Sequence, residues 1–286
     1  MKQFFFLCGL PRSGSTVLSS ILSQNPDIYA SPNSALVELL VNVRNHLRTT
    51  EQTRAFMQPT QESDVLMGIM EGMYAFTKKR NIIDKSRAWP HPENVKLLLE
   101  LLPHAPKFIA TVRDLPAIMA SFLMLINKQP QHISFIDKEL MQKGEDPTLE
   151  RRAEWLFTSG GTIYESWFSL KMAYEAGFSK LFHIVEYEDM TRAPEKTLHG
   201  IYDFLGLPFF EHDLEHIVNE THEDDTVYNL PGMHDVRPAL SKTSLDPREV
   251  LGESLYDRYA SVDHFWREKA KKIHALSVDN PFRLSV

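Results

Sequence analysis

Gln3-Phe-Phe-Phe-Leu-Cys-Gly-Leu-Pro-Arg-Ser-Gly-Ser-Thr-Val17 is the stretch that decides the fold of this chain. Its opening apolar run is typical of a buried strand. A glycine-containing turn follows, and residues 16–23 have the pattern of a helix that Asn25-Pro26 ends. A strand, a turn and a helix in this order predict a βα unit, in which the turn amides and the positive helix end favour a bound anion.

The rest of the chain repeats this alternation of apolar runs and helical periods. Further strands are predicted at Asn81–Asp84, Lys107–Val112 and Leu181–Val185. Helices are predicted over 36–47, 65–76 and, as one long element, Glu150–Ala176. The pattern predicts an α/β protein with a P-loop-like three-layer fold, in which helices flank a central, mainly parallel sheet. Because no repeat or linker interrupts it, we expect a single domain over residues 1–286.

Residues Pro130–Pro147 are the least regular part of the sequence, polar with scattered apolar positions. Two interpretations stay open for them. They form either a surface excursion or a lid or insertion on the acceptor side of a site, since long irregular loops in compact domains often carry function.

Charge is distributed unevenly along the 286 residues. The net charge is −7, but residues 1–128 hold 14 Lys and Arg against 10 Asp and Glu, whereas residues 129–286 hold 17 against 28. An acidic chain argues against binding of nucleic acid or of an anionic membrane surface. It leaves open a small anionic ligand in the first half, which is +4.

Composition also bears on the compartment. Cys8 is the single cysteine, so no internal disulfide forms within this sequence. No run of about 18 apolar residues predicts a transmembrane segment, and the amino terminus lacks the flanks of a signal peptide. We therefore expect a cytoplasmic protein.

The turn after the first strand has the chemistry of an oxyanion site. Gly14 permits close backbone approach, Ser13, Ser15 and Thr16 offer hydroxyls, and Arg12 offers a planar fork of donors. Gly9 and Gly14 have the spacing of a nucleoside-triphosphate loop, but Ser15 stands where that loop has its Lys. A monophosphate-like group therefore fits better than a triphosphate, and the dinucleotide-binding glycine pattern is missing from this turn.

Pro11-Arg-Ser-Gly-Ser-Thr16 resembles the 5′-phosphosulfate loop of the sulfotransferases, and most closely the Pro-Arg-Ser-Gly-Thr-Thr form of the tyrosylprotein branch. The resemblance implies 3′-phosphoadenosine-5′-phosphosulfate (PAPS) as sulfuryl donor, adenosine 3′,5′-bisphosphate (PAP) as product, and no metal. In this loop the implied donor-binding residues are Pro11, Arg12, Ser13, Gly14, Ser15 and Thr16.

Further segments resemble the same family in the same order. Arg113 at a strand end and Ser121 eight residues later match the pair that holds the 3′-phosphate, and one planar cation with one hydroxyl suits a phosphate monoester. His183-Ile-Val-Glu-Tyr-Glu-Asp-Met190 resembles the strand and turn that follow, with Tyr187 near the adenine or 3′-phosphate region. Its acidic residues are better explained by helix capping than by catalysis.

A weaker match lies late in the chain, in His234-Asp-Val-Arg-Pro-Ala-Leu-Ser-Lys-Thr243. Tyrosylprotein sulfotransferases carry a Ser and a Lys there that contact the donor. By this resemblance Ser241 and Lys242 are candidate donor-binding residues, and a solvated Lys is the alternative.

Catalytic candidates follow from the same resemblance. Lys85, directly after a predicted strand, matches the catalytic Lys, which would stabilise charge on the leaving-group oxygen, and Arg12 would assist. The proton acceptor is not where the family has it, because Asn33 stands in place of a Glu and Arg87 in place of a His.

Two other residues are candidate substitutes for the missing base. His91 has the more suitable intrinsic pKa, and Glu38 is the second candidate. Each has a plain structural alternative, as a loop His and a helix-surface Glu respectively.

His212 and His216, four apart on a predicted helix and followed by acidic residues, could bind zinc, but we interpret them as a solvated face and expect no metal. The sequence thus favours transfer of a sulfuryl group to a hydroxyl acceptor by in-line displacement. A P-loop phosphotransferase that uses a nucleoside triphosphate, and a donor-binding protein without catalysis, are the alternatives. A tyrosyl peptide, a phenol, a sugar or a lipid alcohol all remain possible acceptors, and the sequence does not indicate an oligomeric state.

Overall fold

A computed structural model describes residues 2–58, 60–128, 131–221, 223–241 and 245–267. The strands are β1 (Gln3–Gly9), β2 (Ile28–Asn33), β3 (Asn81–Lys85), β4 (Phe108–Val112) and β5 (Phe182–Glu186). The helices are α1 (Ser15–Ser23), α2 (Leu36–Thr49), α3 (Glu51–Phe56), α4 (Gln61–Met73), α5 (Pro92–Leu101), α6 (Leu115–Asn127), α7 (Phe135–Gln142), α8 (Leu149–Leu156), α9 (Thr162–Glu175), α10 (Tyr187–Arg192), α11 (Pro194–Leu205) and α12 (Pro247–Ala260). Short 3₁₀ turns lie at Phe178–Leu181 and Asp225–Tyr228.

The five strands form one parallel sheet in the order β2-β3-β1-β4-β5. Central β1 pairs with β3 on one side, with Leu7 opposite Lys85, and with β4 on the other, with Gly9 opposite Thr111. All strands therefore end at the same edge, here called the carboxyl edge. Ligands of open parallel sheets bind at that edge, where neighbouring connections leave in opposite directions.

A hydrophobic core lies on each face of the sheet. Alternate residues of β1 point to opposite faces, so Phe4 and Phe6 pack in one core, with residues of α2, α5, α6 and α9. Phe5 and Leu7 pack in the other, with residues of α1 and α11. Each such fully buried side chain contributes about 1.5–3 kcal/mol to stability. The expected three-layer α/β fold is confirmed.

Three local expectations were wrong. The stretch expected as one helix over Glu150–Ala176 is two helices, because Gly161 packs against the backbone carbonyl of Trp155, where an added Cβ would lie 2.1 Å from the carbonyl oxygen. The sequence pattern does not predict strand β2, which follows the first helix. Around His212 and His216 the described backbone is not helical.

The irregular segment contains more structure than its composition indicated. Helix α7 lies inside it, capped by the hydroxyl of Ser134, which accepts from the Asp137 amide at 3.2 Å. Asp137 also forms an ion pair of 2.7 Å with Arg152 of α8. Pro130 lies outside the described residues, and none of 131–147 lines the two cavities described below. The role of residues 130–147 as a lid stays a prediction.

In the part of the chain that the structure describes, no helix combines the length and apolar character needed to cross a bilayer. The single domain and the cytoplasmic location stay predictions.

Candidate functional site

The turn between β1 and α1 is fixed by a close approach to β4. Gly9 has φ +115°, and a Cβ there would lie 2.1 Å from the carbonyl oxygen of Thr111. The Leu10 amide donates to that same carbonyl at 2.8 Å. Only glycine fits such a backbone contact, so the turn is held tightly against the neighbouring strand at the carboxyl edge.

Helix α1 begins directly after Gly14, which has φ +91°. A Cβ at Gly14 would meet Met190 Cε at 2.6 Å and Tyr187 Cδ2 at 3.1 Å. Ser15 and Thr16, in the first turn of α1, line the cavity at the carboxyl edge. The first amides of a helix have no partner within the helix, so this end presents backbone donors and partial positive charge to the cavity.

The Ser13 hydroxyl bonds to neighbouring protein groups. Its hydroxyl is fully buried, lies 2.5 Å from the Leu10 carbonyl oxygen and 2.7 Å from Thr111 Oγ1, and does not line the cavity. A hydroxyl has a single proton to donate, so this side chain ties the turn to β4. Its expected contact with a donor molecule stays a prediction with no support from the side-chain position.

Two guanidinium groups converge beside the turn. Arg12 has a left-handed backbone (φ 57°), donates from Nε to Ser121 Oγ at 3.2 Å and donates from Nη1 to the Met233 carbonyl. Arg113, at the end of β4, donates from Nη1 to the Arg12 carbonyl at 3.2 Å. Burial, and then repulsion by Arg113, lower the pKa of Arg12. Two adjacent cations in a confined space favour a bound anion.

Arg113 has capacity for a further acceptor. Its guanidinium lies over the ring of Tyr187 at 4.1 Å, and the residue is only 7% exposed. The buried Nε has no hydrogen-bond partner in the described part of the protein, and its nearest carboxylate, Glu188, is at 3.9 Å. Leaving a buried donor unsatisfied costs about 1–3 kcal/mol. An anionic oxygen held here would satisfy it.

Lys85 occupies the end of β3, next to a rigid buried network. The preceding Asp84 is fully buried and accepts from Trp89 Nε1 at 2.7 Å and from the hydroxyl of Tyr74. The Lys85 amide donates to Ser31 Oγ at 2.8 Å. These bonds fix the backbone from which the Lys85 side chain enters the cavity.

The ammonium of Lys85 pairs with a residue from far along the chain. Lys85 is 4% exposed, and its Nζ lies 3.1 Å from Glu223 Oε2. Burial lowers the pKa of Lys85, and the Glu223 carboxylate opposes that effect. An ammonium has three donors, so Lys85 can hold Glu223 and still donate to a ligand.

Sequence reasoning missed a second set of polar residues, in the segment 223–234. Glu223, Asp225 and His234 have side chains only 8%, 10% and 11% exposed, and His234 lines the cavity with Lys85 and Asn33. Their sequence pattern, acidic residues with scattered His, is more typical of a solvated face. His234 does open the late segment that resembles the tyrosylprotein branch, which was the one signal that pointed to it.

The cavity at the carboxyl edge has a volume of about 650 Å³. It brings together most of the residues that the sequence pointed to. These are Pro11, Arg12, Gly14, Ser15, Thr16, Lys85, Arg113, Ser121, Tyr187 and Ser241. Lys242 lies outside the described residues.

A second cavity of about 620 Å³ shares Asn33, Ser86 and Arg87 with the first. The two candidate bases from the sequence, Glu38 and His91, line this second cavity and not the first. His91 also caps α5, because its Nδ1 accepts from the Glu93 amide at 3.4 Å. Neither candidate therefore shares the Lys85 cavity.

The histidines considered for zinc have other partners. His216 Nδ1 pairs with Asp213 at 2.9 Å, and His212 Nε2 lies 3.0 Å from the hydroxyl of Tyr202. Among the described residues, no group of three or more His, Cys, Asp or Glu side chains could hold a metal ion. His222 lies outside that set.

Comparison with protein families gives one match over most of the chain. The model of the sulfotransferase family matches residues 5–211, which include β1, its turn, Lys85, Arg113, Ser121 and Tyr187. No curated protein sequence matches significantly.

Solved structures similar to this one have low sequence identity. The sulfotransferase STF9 from Mycobacterium avium is 14% identical, with 100% of this chain and 78% of that chain covered and a TM-score of 0.49. Mouse sulfotransferase SULT7A1, solved in complex with PAP, is 15% identical, with 95% and 89% covered and a TM-score of 0.49. The sulfotransferase domain from the curacin biosynthetic pathway is 18% identical, with 98% and 99% covered and a TM-score of 0.48.

Proposed function

This chain belongs to the sulfotransferase family, and from that premise we propose that it transfers a sulfuryl group from PAPS to an acceptor hydroxyl by in-line displacement. The observation that carries the choice of donor is the convergence of Arg12, Arg113 and the start of α1 on one cavity. These are two guanidinium groups and a helix amino terminus at the carboxyl edge of a parallel sheet. That combination suits a ligand with two separate anionic groups.

In this proposal two groups of residues hold the donor. Arg113, Ser121 and Tyr187 take the 3′-phosphate end, and the buried unpartnered Nε of Arg113 supports that role. The turn 11–16 takes the 5′-phosphosulfate through backbone amides and the hydroxyls of Ser15 and Thr16. Ser241 lines the same cavity, and Lys242 stays a candidate from the sequence alone. No metal is required, because guanidinium, ammonium and amide donors supply the positive charge.

Lys85 is proposed as the main catalytic donor. Negative charge builds on the bridging oxygen as its bond to sulfur breaks, so a fixed ammonium there lowers the barrier. Support comes from its burial, from its position beside the turn and from the Asp84 network that fixes its backbone. Arg12 adds a second cation, although its contacts with Ser121 and Met233 also give it a structural role.

The second cavity is the proposed acceptor side. It joins the first through Asn33, Ser86 and Arg87, so a hydroxyl bound there could reach the donor site. Its walls are largely polar, with Glu38, His91, Asn94, Glu165, Ser166 and Ser169 among them. A polar acceptor with several hydrogen-bonding groups fits such walls better than an extended hydrocarbon. Glu38 and His91 then contact the acceptor.

Calorimetric titration with PAP, followed by displacement with ATP, tests the donor assignment. We expect PAP to bind in a single site and ATP to compete weakly, since Ser15 stands where a triphosphate loop has Lys. Tighter binding of ATP than of PAP would favour the phosphotransferase alternative. Transfer from PAPS labelled with ³⁵S to a panel of phenols, sugars, alcohols and tyrosyl peptides then tests catalysis. Binding of PAP without transfer to any acceptor would favour a donor-binding protein.

A further inference from the structure

A buried His–Asp pair lies at the cavity that contains Lys85. We propose that His234, oriented by Asp225, is the catalytic base that takes the proton of the acceptor hydroxyl. The inference rests on the proposed sulfuryl transfer and supplies the base that neither Asn33 nor Arg87 provides. His91 and Glu38 are then acceptor-side residues and not the base.

Asp225 holds His234 by two bonds. One carboxylate oxygen lies 2.5 Å from His234 Nδ1, and the other accepts from the His234 backbone amide at 2.9 Å. The carboxylate can only accept from Nδ1, so the neutral ring carries its proton there. This leaves the lone pair on Nε2, and it fixes the orientation of the ring, as a carboxylate does for the base of a hydrolase triad.

The Nε2 atom of His234 contacts a residue that the two cavities share. It lies 3.1 Å from Asn33 Nδ2, and Asn33 lines both cavities. The amide donates to the lone pair in this structure, and an acceptor hydroxyl that binds at the junction would make the equivalent bond. A base must lie within hydrogen-bond reach of the proton that it removes, and this position meets that condition for a hydroxyl beside Asn33.

Glu223 is a poorer base although it is closer to Lys85. Its Oε2 pairs with Lys85 Nζ at 3.1 Å, and its Oε1 accepts from the backbone amide of Asn33 at 2.9 Å. Both oxygens are committed, and a proton on this carboxylate would give up an ion pair that is almost fully buried. We assign Glu223 the role of a positioning residue, which joins Lys85 to the segment that carries His234.

Several charged and aromatic groups face His234. Asp225 contacts it directly, and Glu223 Oε1 lies 3.8 Å from Nε2. Tyr228 presents its ring at 6.3 Å. Of the neighbouring cations, Lys85 pairs with Glu223, Arg87 interacts electrostatically with Glu223, and Arg12 interacts with Asp225.

The proposed step balances without any further reactant. The acceptor oxygen forms its bond to sulfur as the bridging oxygen–sulfur bond of the donor breaks. The bonding pair stays on the leaving-group oxygen, which Lys85 stabilises. The acceptor proton moves to His234 Nε2, and the imidazolium later releases it to solvent. The products are a sulfate ester and PAP.

His234→Gln is the variant that tests the base. Its matched control is His216→Gln, because His216 forms the same Nδ1–carboxylate contact, with Asp213 at 2.9 Å, but on the surface. We expect His234→Gln to lower ³⁵S transfer to phenol at pH 7 by about 10²–10⁴-fold. The affinity for PAP should change little, and the control should match wild type. Wild-type transfer by His234→Gln would overturn the proposal.

The choice of acceptor separates a base from a structural residue. p-Nitrophenol is largely ionised at pH 8 and needs no base, whereas phenol does. The loss caused by His234→Gln should therefore be much smaller with p-nitrophenol than with phenol, and Asp225→Asn should show the same difference. Equal losses with both phenols would indicate that His234 only maintains the structure, which contradicts the proposal.

A measurement without turnover keeps the inference testable if these phenols are not acceptors. In ¹⁵N-histidine-labelled protein with PAP bound, the signal that His234→Gln removes should report a ring protonated at Nδ1 with a lone pair on Nε2. A ring protonated at Nε2 would overturn the assignment of the base while leaving the donor site intact. Failure of the wild type to bind PAP would instead overturn the proposed function.

Discussion

The proposed donor side and the proposed base side of the cavity are built in different ways. On the proposed donor side the turn 9–16, Lys85 and Arg113 lie at or just after the ends of strands of one parallel sheet, and hydrogen-bonded register, with Leu7 opposite Lys85 and Gly9 opposite Thr111, brings them to the same edge. On the base side Glu223, Asp225 and His234 lie in a segment with a single 3₁₀ turn, held by side-chain contacts. Residues placed by backbone hydrogen bonds between strands keep their positions when side chains are substituted. The proposed base side depends instead on a few polar bonds of side chains.

Lys85 connects the two regions, so among the four substitutions that follow its replacement should have the largest effect. Lys85→Met should lower sulfuryl transfer by about 10²–10³-fold, as loss of one transition-state donor does, while PAP still binds. ³⁵S transfer and calorimetry measure the two quantities. The matched control is Lys96→Met, since Lys96 pairs with Glu93 at 2.8 Å on the surface. Unchanged transfer by Lys85→Met would remove this lysine from catalysis.

Gly14 tests how tightly the donor side is packed. Gly14→Ala should destabilise the fold by about 1–2 kcal/mol through its left-handed backbone. It should cost about 1 kcal/mol more, at the low end of overpacking, because the Met190 methyl can move away while Tyr187 Cδ2 lies 3.1 Å from an added Cβ. Gly177 has a similar φ, +86°, with no atom within 4 Å of an added Cβ. Gly177→Ala should therefore show the backbone cost alone. Urea unfolding compares the two variants, and equal losses would contradict the close packing of Gly14.

Arg113 tests the fork geometry of the donor side. Arg113→Lys keeps the charge but loses the planar set of donors, so the dissociation constant for PAP should rise by roughly tenfold, as expected from one lost charged hydrogen bond. Calorimetry measures the change. Arg152→Lys is the control, since Arg152 forms an ion pair of 2.7 Å with Asp137 away from the cavity. An equal loss of affinity in both variants would point to general destabilisation.

Of these substitutions, that of His212 should give the smallest effect. Burial lowers the pKa of His212 to about 4, below the 6.5 of an unfolded chain. Between these values the unfolded state binds more protons, so stability falls as the pH drops from 6.5 towards 4. We expect His212 to contribute about 1–2 kcal/mol of that loss, since the ring is only half-buried.

Urea unfolding at pH 7 and pH 4.5 measures this contribution. His212→Gln should reduce the difference between the two pH values, and His104→Gln, at an exposed position, should leave it as in wild type. An unchanged difference in His212→Gln would show that this histidine titrates alike in the folded and unfolded chain.

The sequence predicted well which residues lie together at the carboxyl edge, because those signals are local. The anion-binding turn is predicted from an apolar run followed by a glycine turn and a helix start. Charged residues directly after apolar runs are predicted to lie at the carboxyl edge of a parallel sheet. Predictions failed where backbone packing, which the helical period does not show, decides the structure. Gly161 breaks the helix expected over 150–176 because it packs on a carbonyl six residues earlier, and no local pattern at His216 showed that the backbone there would not be helical.

The amino-acid sequence by itself determined the α/β class and the glycine turn after β1, and its resemblance to the sulfotransferases singled out Lys85, Arg113 and Ser121 as candidate site residues. Periodicity and spacing are properties of neighbouring residues, and a parallel sheet converts them into position by its own geometry. Only the tertiary structure decided that Glu223, Asp225 and His234 lie buried beside Lys85. Their burial follows from pairing across 138 residues of separation between Lys85 and Glu223. The residues next to a carboxylate in the sequence do not show whether it faces water or an ammonium group. Only the fold distinguishes the two cases.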